Sequence, residues 1–313
     1  MTTPASRAYS GASDLQLMID LLVAVRPAAR ISSFPGIVDL RELLTLRHVQ
    51  DCTRLWLEPE GRVIAFALVD HYSNLHFEYD PQAEHPGIEA EVVAWGVECI
   101  RRAIQEGGAA STLDASCRSD DTARILLLER HGFVRQETRS LRLIRPLDEP
   151  IPAPNLPAGF TVRHVAGEQE VEALVALHRA AFGTENMTVE ERLAMMRVPE
   201  YDAVLDLIAI APDGRLAAYC MCSVSQEENK RTARKEGYTD PVATHPDFRR
   251  RGLARALLLA GLHRLKQRGI ETAVLGTSSD NHAMLRAAQA VGFGVQSETL
   301  WFSKPVSGSK GEG

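Results

Sequence analysis

The dipeptides His85-Pro86 and Gly132-Phe133 lie 47 residues apart, and His245-Pro246 and Gly292-Phe293 repeat them at the same spacing, 160 residues further on. A repeat at that distance restricts a chain of 313 residues to architectures that use one plan twice. Other features repeat in the same order. Helical periodicity opens each half, over Leu15–Val25 and Val171–Phe182. A hairpin follows in each: Arg54–Leu57 and Val63–Val69 around Glu60-Gly61, then Leu205–Ile210 and Leu216–Val224 around Asp213-Gly214. The repeat predicts an internal duplication in register at a constant offset of 160.

Between the copies, Pro146–Pro157 carries five prolines in twelve residues, which favours an extended connector. The expected division is therefore 1–148, a linker at 149–158, a second domain at 159–306 and a disordered Gly/Ser/Lys-rich tail at 307–313. Two domains also fit a prior of roughly 150 residues each. The net charge of -6 is unevenly spread: residues 1–155 hold 16 Arg, no Lys and 22 Asp+Glu, so the remainder is neutral. An acidic balance argues against a nucleic-acid binder. No run of 18 apolar residues marks a membrane span, and the polar first residues carry no signal-peptide core, so a cytoplasmic chain is expected. Five cysteines without a CxxC pair fit reduced thiols; Cys220 and Cys222, inside an apolar run, read as core rather than metal ligands, and no metal is expected.

The chemistry is concentrated in the second half. Thr239–Thr244 reads as a strand despite Pro241, and it leads into His245-Pro246-Asp247-Phe248-Arg249-Arg250-Arg251-Gly252-Leu253-Ala254-Arg255 and then the helical pattern Ala256–Arg268. A strand, a glycine turn and a helix N-terminus make an anion site, because unpaired backbone N–H groups and the helix dipole point the same way. Four arginines in seven residues add positive charge; a solvated basic helix start is the alternative reading.

These residues resemble the GNAT superfamily of N-acetyltransferases. Arg249-x-x-Gly252-x-Ala254 fits its (Arg/Gln)-x-x-Gly-x-(Gly/Ala) motif, and the strand Thr272–Gly276, Asn281, the helix His282–Val291 and Gly292-Phe293 follow in the family's order. The resemblance implies an α/β fold of two tandem acyl-CoA N-acyltransferase (GNAT) domains, each a twisted mixed sheet flanked by helices. It implies transfer of an acetyl group from acetyl-CoA, as cosubstrate, to a primary amine of a small molecule by direct attack. Arg249, Arg250, Arg251, Gly252, Leu253, Ala254 and Arg255 would hold the CoA pyrophosphate, Val242, Ala243 and Thr244 the pantetheine arm, and Asn281 the opposite wall.

Many members place a Tyr seven residues after the Asn as proton donor; here that position is Ala288. Tyr219, Tyr238 or water is the substitute donor, unless CoA leaves as a thiolate stabilised by the helix end; Asp240, two residues from Tyr238 on one strand face, is the candidate base, with Glu227 and Glu228 further candidates. At the offset of 160, the segment RRRGLA becomes EAEVVA, with Glu89 and Val92 at the positions of Arg249 and Gly252 and Asp121 at that of Asn281, so the first copy should have lost CoA binding. That arrangement is similar to the mycothiol synthase family, which points to an amino-sugar or amino-acid conjugate as acceptor. A peptide or protein amine is an alternative acceptor, and a non-catalytic acyl-CoA-binding or regulatory protein an alternative function. The acceptor loops are expected at Gly183–Val198 and Gln226–Gly237, and the chain is expected to be a monomer or homodimer without nucleic-acid or membrane partners.

Overall fold

A strand whose residues are apolar throughout must be covered on both faces, and Val63–Val69 and Leu216–Met221 are such strands. They form the hearts of two units in a computed structural model that describes residues 5–108 and 111–307. Most of the tail expected at 307–313, its residues 308–313, lies outside the described residues. One unit comprises residues 1–139 and 299–313, the other 140–298.

In chain order the first unit contains β1 (Ala5–Ala8), α1 (Ala12–Val25), α2 (Ile37–Leu43), α3 (Arg47–Asp51), β2 (Thr53–Leu57), β3 (Val63–Val69), β4 (Leu75–Tyr79), α4 (Ile88–Gln105), β5 (Thr112–Arg118) and α5 (Thr122–Arg130), and β6 (Val134–Pro146) begins in it. The second contains β7 (Thr161–His164), α6 (Val171–Phe182), α7 (Val189–Arg197), β8 (Asp206–Ile210), β9 (Leu216–Met221), α8 (Gln226–Thr232), β10 (Glu236–Tyr238), β11 (Val242–Thr244), α9 (Leu253–Gln267), β12 (Thr272–Ser278) and α10 (His282–Gln289), and β13 (Gly294–Pro305) starts there.

The last strand of each copy serves the other unit. Residues Ser140–Pro146 of β6 pair antiparallel with β12, and Thr299–Pro305 of β13 pair antiparallel with β5. The Pro-rich stretch at 149–158, expected as a linker, falls inside the second unit. Leu141 and Leu143 of β6 accordingly pack with Leu207, Leu257 and Leu275, whereas Leu300 and Phe302 of β13 pack with Ala65, Val92 and Leu113.

Within each unit four strands run antiparallel, β1-β2-β3-β4 and β7-β8-β9-β11. Beside them the strand that follows the long helix touches this sheet at one end only. In the first unit, β4 and β5 meet at a parallel bridge between Asn74 and Asp114. In the second, the strand expected over Thr239–Thr244 is interrupted. Its leading part, β10, pairs parallel with β12, and its trailing part, β11, pairs antiparallel with β9. Thr239 donates its backbone N–H and its hydroxyl to the Val274 carbonyl, at 2.9 and 3.0 Å. Pro241 has no N–H to give, and its carbonyl accepts from Met221 on the other side.

The constant register of 160 does not survive in this stretch. Both long helices begin at a glycine in the left-handed region, Gly87 at φ 107° and Gly252 at φ 82°, 165 residues apart. Gly96 and Gly261, 165 apart as well, both lie where the helix crosses the sheet, against Leu113 and Leu75 in one unit and Cys222 in the other. The His-Pro dipeptides are therefore not equivalent. His245 accepts from the Asp247 N–H at the end of β11, and in the first unit Asp80 does this for Gln82 after β4. Gly252 corresponds to Gly87, not Val92. Five residues missing from the sequence pattern before α4 reappear after it, since β5 and β12 are again 160 apart.

The close crossings differ in tolerance. A methyl group on Gly261 would stand 2.6 Å from the buried Cys222 Sγ, whereas one on Gly96 would meet only the methyl ends of Leu113 and Leu75, at 3.0 and 3.1 Å. Gly261→Ala is expected to cost about 1–3 kcal/mol in denaturant unfolding through overpacking, and Gly96→Ala less.

Candidate active site

The second unit holds every residue singled out for chemistry. Gly252 is the N-cap of α9, and a Cβ there would meet nothing within 4 Å, so its glycine is required by the left-handed φ and leaves open space in front of the helix. Arg250 is left-handed too, at φ 62°. Alternating handedness of this kind curls successive N–H groups toward one point, the geometry of an anion nest. Phe248 anchors the turn: it is buried, Arg215 lies 4.6 Å over its ring and Arg251 5.7 Å. Arg249, Arg250, Arg251 and Arg255 are exposed, and Arg249 donates to the Ala181 carbonyl at the end of α6 at 2.6 Å.

Val242, Ala243 and Thr244 form β11, the strand that turns away from β12. Asn281 caps α10 by accepting from the Met284 N–H at 3.1 Å, and Asp121 caps α5 through the Arg124 N–H in the same way. The Asn/Asp difference thus conserves a helix cap and says nothing by itself about cofactor binding. Ala288 is fully buried in α10.

The fork at Thr239–Pro241 gathers the candidate acid and base. The Asp240 carboxylate lies against β12, with Oδ2 3.1 Å from where Gly276 would carry a Cβ. Gly276 is paired across the sheet with Arg142, whose guanidinium lies 5.8 Å from the Tyr238 ring centre and donates to Glu236 at 2.8 Å. Tyr238 thus faces Arg142 and Asp240 faces Gly276, the register partner of Arg142, although the strand between them is broken. Arg142 was missed in the sequence because it lies in the first copy; only the placement of β6 beside β12 brings it here.

Tyr219 is elsewhere. It sits on β9 opposite Ala243, buried, with its hydroxyl 2.6 Å from His178 Nδ1 of α6. His178, Tyr219, Met187, Arg192 and Pro241 line a closed cavity of about 10 Å³, room for about one water. Burial pushes the Tyr219 phenol well above its ordinary value, and Arg192 opposes this without outweighing it. Burial, with Arg192 second, lowers His178. Arg192 itself is held by the buried Asp206 carboxylate, which also accepts from Tyr201 at 2.9 Å.

Other expectations place simply. Cys220 and Cys222 are buried free thiols, 3.7 Å apart. The two segments expected as acceptor loops each contain a helix, α7 and α8. In and after α8 three basic residues are paired, Arg231 with Glu227, Arg234 with Glu236 and Lys235 with Glu271. Among the described residues no helix is long and apolar enough to cross a membrane.

Comparison with known proteins bears on this arrangement. The family model for the acetyltransferase (GNAT) family matches residues 171–293. Mycothiol acetyltransferase of Tsukamurella paurometabola is 32% identical over 231 residues, covering 68% of this chain and 76% of that one. That of a Nocardioides species is 28% identical over 290 residues, 88% of this chain and 94% of its own. In three dimensions a GCN5-related N-acetyltransferase from Sphaerobacter thermophilus superposes with a TM-score of 0.68 at 22% identity, covering 97% of each chain. A tandem GNAT protein from the clavulanic acid biosynthesis pathway gives 0.68 at 17% identity, covering 98% of this chain and 99% of that one. The fold and these relatives define an acyltransferase enzyme. The chain belongs to the GNAT family of acetyltransferases.

His178 supplies a test that needs no substrate. Its folded value lies below the ordinary 6.5, so at acid pH the unfolded chain binds the extra proton more readily. Stability is expected to fall as the pH drops from about 6.5 toward 5. In His178→Asn this part of the slope is expected to vanish, read as the denaturant midpoint against pH.

Proposed function

We propose that the chain transfers an acetyl group from acetyl-CoA to a primary amine of a small molecule, at one site in the second unit. The observation that carries this reading is the fork at Thr239–Pro241, with an open, nest-shaped helix start in the same unit and an acidic residue and a tyrosine standing at the point of divergence. Acetyl-CoA supplies a thioester activated toward amines. The N–H groups of Arg250 to Arg255 suit its pyrophosphate, with the α9 dipole and the exposed arginines adding favourable potential. Ala243 leaves β11 without a bulky side chain on the face it shares with Tyr219, and the strand's free edge suits the amides of a pantetheine arm. Asn281, at the start of α10, would line the opposite wall.

Direct attack needs the amine in its neutral form and a proton for the departing thiolate. Asp240 takes the amine's proton. Tyr238 gives the proton, its ring lying beside the Arg142 guanidinium at the fork. Tyr219 is unsuited to that step: burial keeps its proton in place, so it serves as a hydrogen-bond donor oriented by His178. The name of the relatives, mycothiol acetyltransferase, points to a small-molecule acceptor in preference to a protein amine.

The first unit keeps the plan and carries no second CoA site. Its helix start retains the left-handed Gly87, so the loss lies in charge and space. Glu89 and Glu91 occupy the first turn of α4, held by Tyr79 at 2.7 Å and by Trp56 and His85 at 3.0 and 2.9 Å. On β4, Glu78 takes the position that Ala243 has on β11, opposite Phe66 as Ala243 is opposite Tyr219. Arg26 and Arg124 clamp it at 2.6 and 2.9 Å, across the space a pantetheine arm would use.

Calorimetry with CoA is expected to give one site per chain, and Gly252→Asp to weaken it about a hundredfold or more; two sites, or unchanged affinity, would overturn the assignment. With a panel of amines, Asp240→Asn is expected to lower kcat by about 10²–10⁴ while CoA affinity is kept. Tyr238→Phe should remove the basic limb of the kcat profile, and Tyr219→Phe should leave that limb in place.

A further inference from the structure

The fork of the first unit is not empty of possibilities once CoA is excluded from it. Between β4, β5 and the segment after α1 lies a cavity of about 350 Å³, within the range of about 300–1,000 Å³ typical of small-molecule sites. Its lining includes four arginines, Arg26, Arg30, Arg118 and Arg124, against two carboxylates, Glu78 and Asp121. Glu78 is spent: Arg26 and Arg124 both bind it, and their guanidiniums outweigh a burial that alone would push its carboxyl up. One buried carboxylate shared by two guanidiniums leaves an excess positive charge in a poorly solvated place, an arrangement that favours a further anion. Asp39 is engaged at the start of α2, where it accepts from the Gly36 N–H at 2.7 Å. His76 is turned to the buried Asp70, at 2.9 Å.

The rim shows which anion fits. Arg118 presents its Nε and one terminal nitrogen to the two oxygens of Asp120, each at 2.9 Å, a planar fork gripping a carboxylate. Arg30 reaches the same Asp120 and Asp121, at 3.2 Å. Asp120 is 54% exposed, and an ion pair of that kind is readily exchanged for an incoming carboxylate. Beside the arginines the lining is aromatic and apolar. Phe34 is 56% exposed, an unusual position for a phenylalanine, and it stands edge-on to His76 at 5.2 Å; Phe77 carries Arg124 stacked at 4.2 Å.

We infer that this cleft binds a small carboxylate with an apolar body, its carboxylate on Arg118 and Arg30 in place of Asp120 and its body against Phe34. The retained copy would then have exchanged a cofactor cleft for an independent metabolite site. This inference stands on the first unit alone and does not depend on the acyl-transfer reading of the second.

The test is titration of the full chain with benzoate and isovalerate, followed by ligand-observed NMR and calorimetry, with benzyl alcohol, benzylamine and inorganic phosphate as controls. At least one of the two carboxylates is expected to bind with a Kd of about 1 mM or tighter, while the alcohol and the amine do not. Arg118→Ala and Phe34→Ala are each expected to weaken it about tenfold or more, and Asp240→Asn to leave it unchanged. Asp120→Asn vacates the Arg118 fork and is expected to tighten binding, a gain that misfolding cannot imitate. Binding of neither carboxylate, equal binding of phosphate, or indifference to Arg118→Ala and Asp120→Asn would overturn the inference.

Discussion

Everything in the second unit depends on how the backbone hydrogen bonds of Thr239, Asp240 and Pro241 are shared out. A buried strand must satisfy its N–H and C=O groups, and here one strand does so with two neighbours in succession. Thr239 closes the account with β12 by giving both its N–H and its hydroxyl to Val274. Pro241, lacking an N–H, opens the account with β9 through its carbonyl alone. Between these two residues the sheet parts, and the parting leaves β11 paired with β9 alone, directs the chain toward the glycine-capped start of α9 and leaves Asp240 facing Gly276. A continuous strand over the same residues would have kept its ladder bonds with one neighbour throughout.

The second constraint is the exchange of terminal strands. Because β6 pairs with β12, the first copy contributes Arg142 to the fork, where it is held by Glu236 and faces Tyr238. The proposed proton donor thus faces a side chain from the other half of the sequence. This gives the first copy a reason to persist that is independent of any ligand of its own. The units share the burden chemically as well: Leu141 and Leu143 complete the core under α9, and Leu300 and Phe302 complete the core under α4. Removing β6 would strip Leu141 and Leu143 from one core, and removing β13 would strip Leu300 and Phe302 from a core far from it in sequence.

Comparison of the two forks shows how one scaffold takes opposite electrostatic characters. Where the second unit has Ala243 opposite Tyr219, the first has Glu78 opposite Phe66. An alanine leaves room, while a buried glutamate demands partners, and Arg26 and Arg124 supply them from the end of α1 and the first turn of α5. The helix starts diverge in the same direction, with arginines before Gly252 and glutamates after Gly87.

Local chemistry alone was sufficient for the elements that depend on it. The Asp-Gly and Glu-Gly hairpins, the helix at Val171–Phe182, the strand at Val63–Val69, the Arg-rich turn before α9 and the acid balance of the first half were all legible, because turn propensity, periodicity and charge reside in neighbouring residues. The register between copies was legible only where nothing had been inserted. It failed across Asp80–Gln105, since a matching His-Pro pair carries no information about where a helix is capped, and Gly87 became visible as the partner of Gly252 only through its backbone conformation. The break at Thr239–Pro241, the placement of Tyr238 beside Arg142 and of Asp240 beside Gly276, and the pairing of His178 with Tyr219 were decided by tertiary structure, because each joins groups that are remote in sequence or whose orientation depends on which neighbouring strand accepts a hydrogen bond.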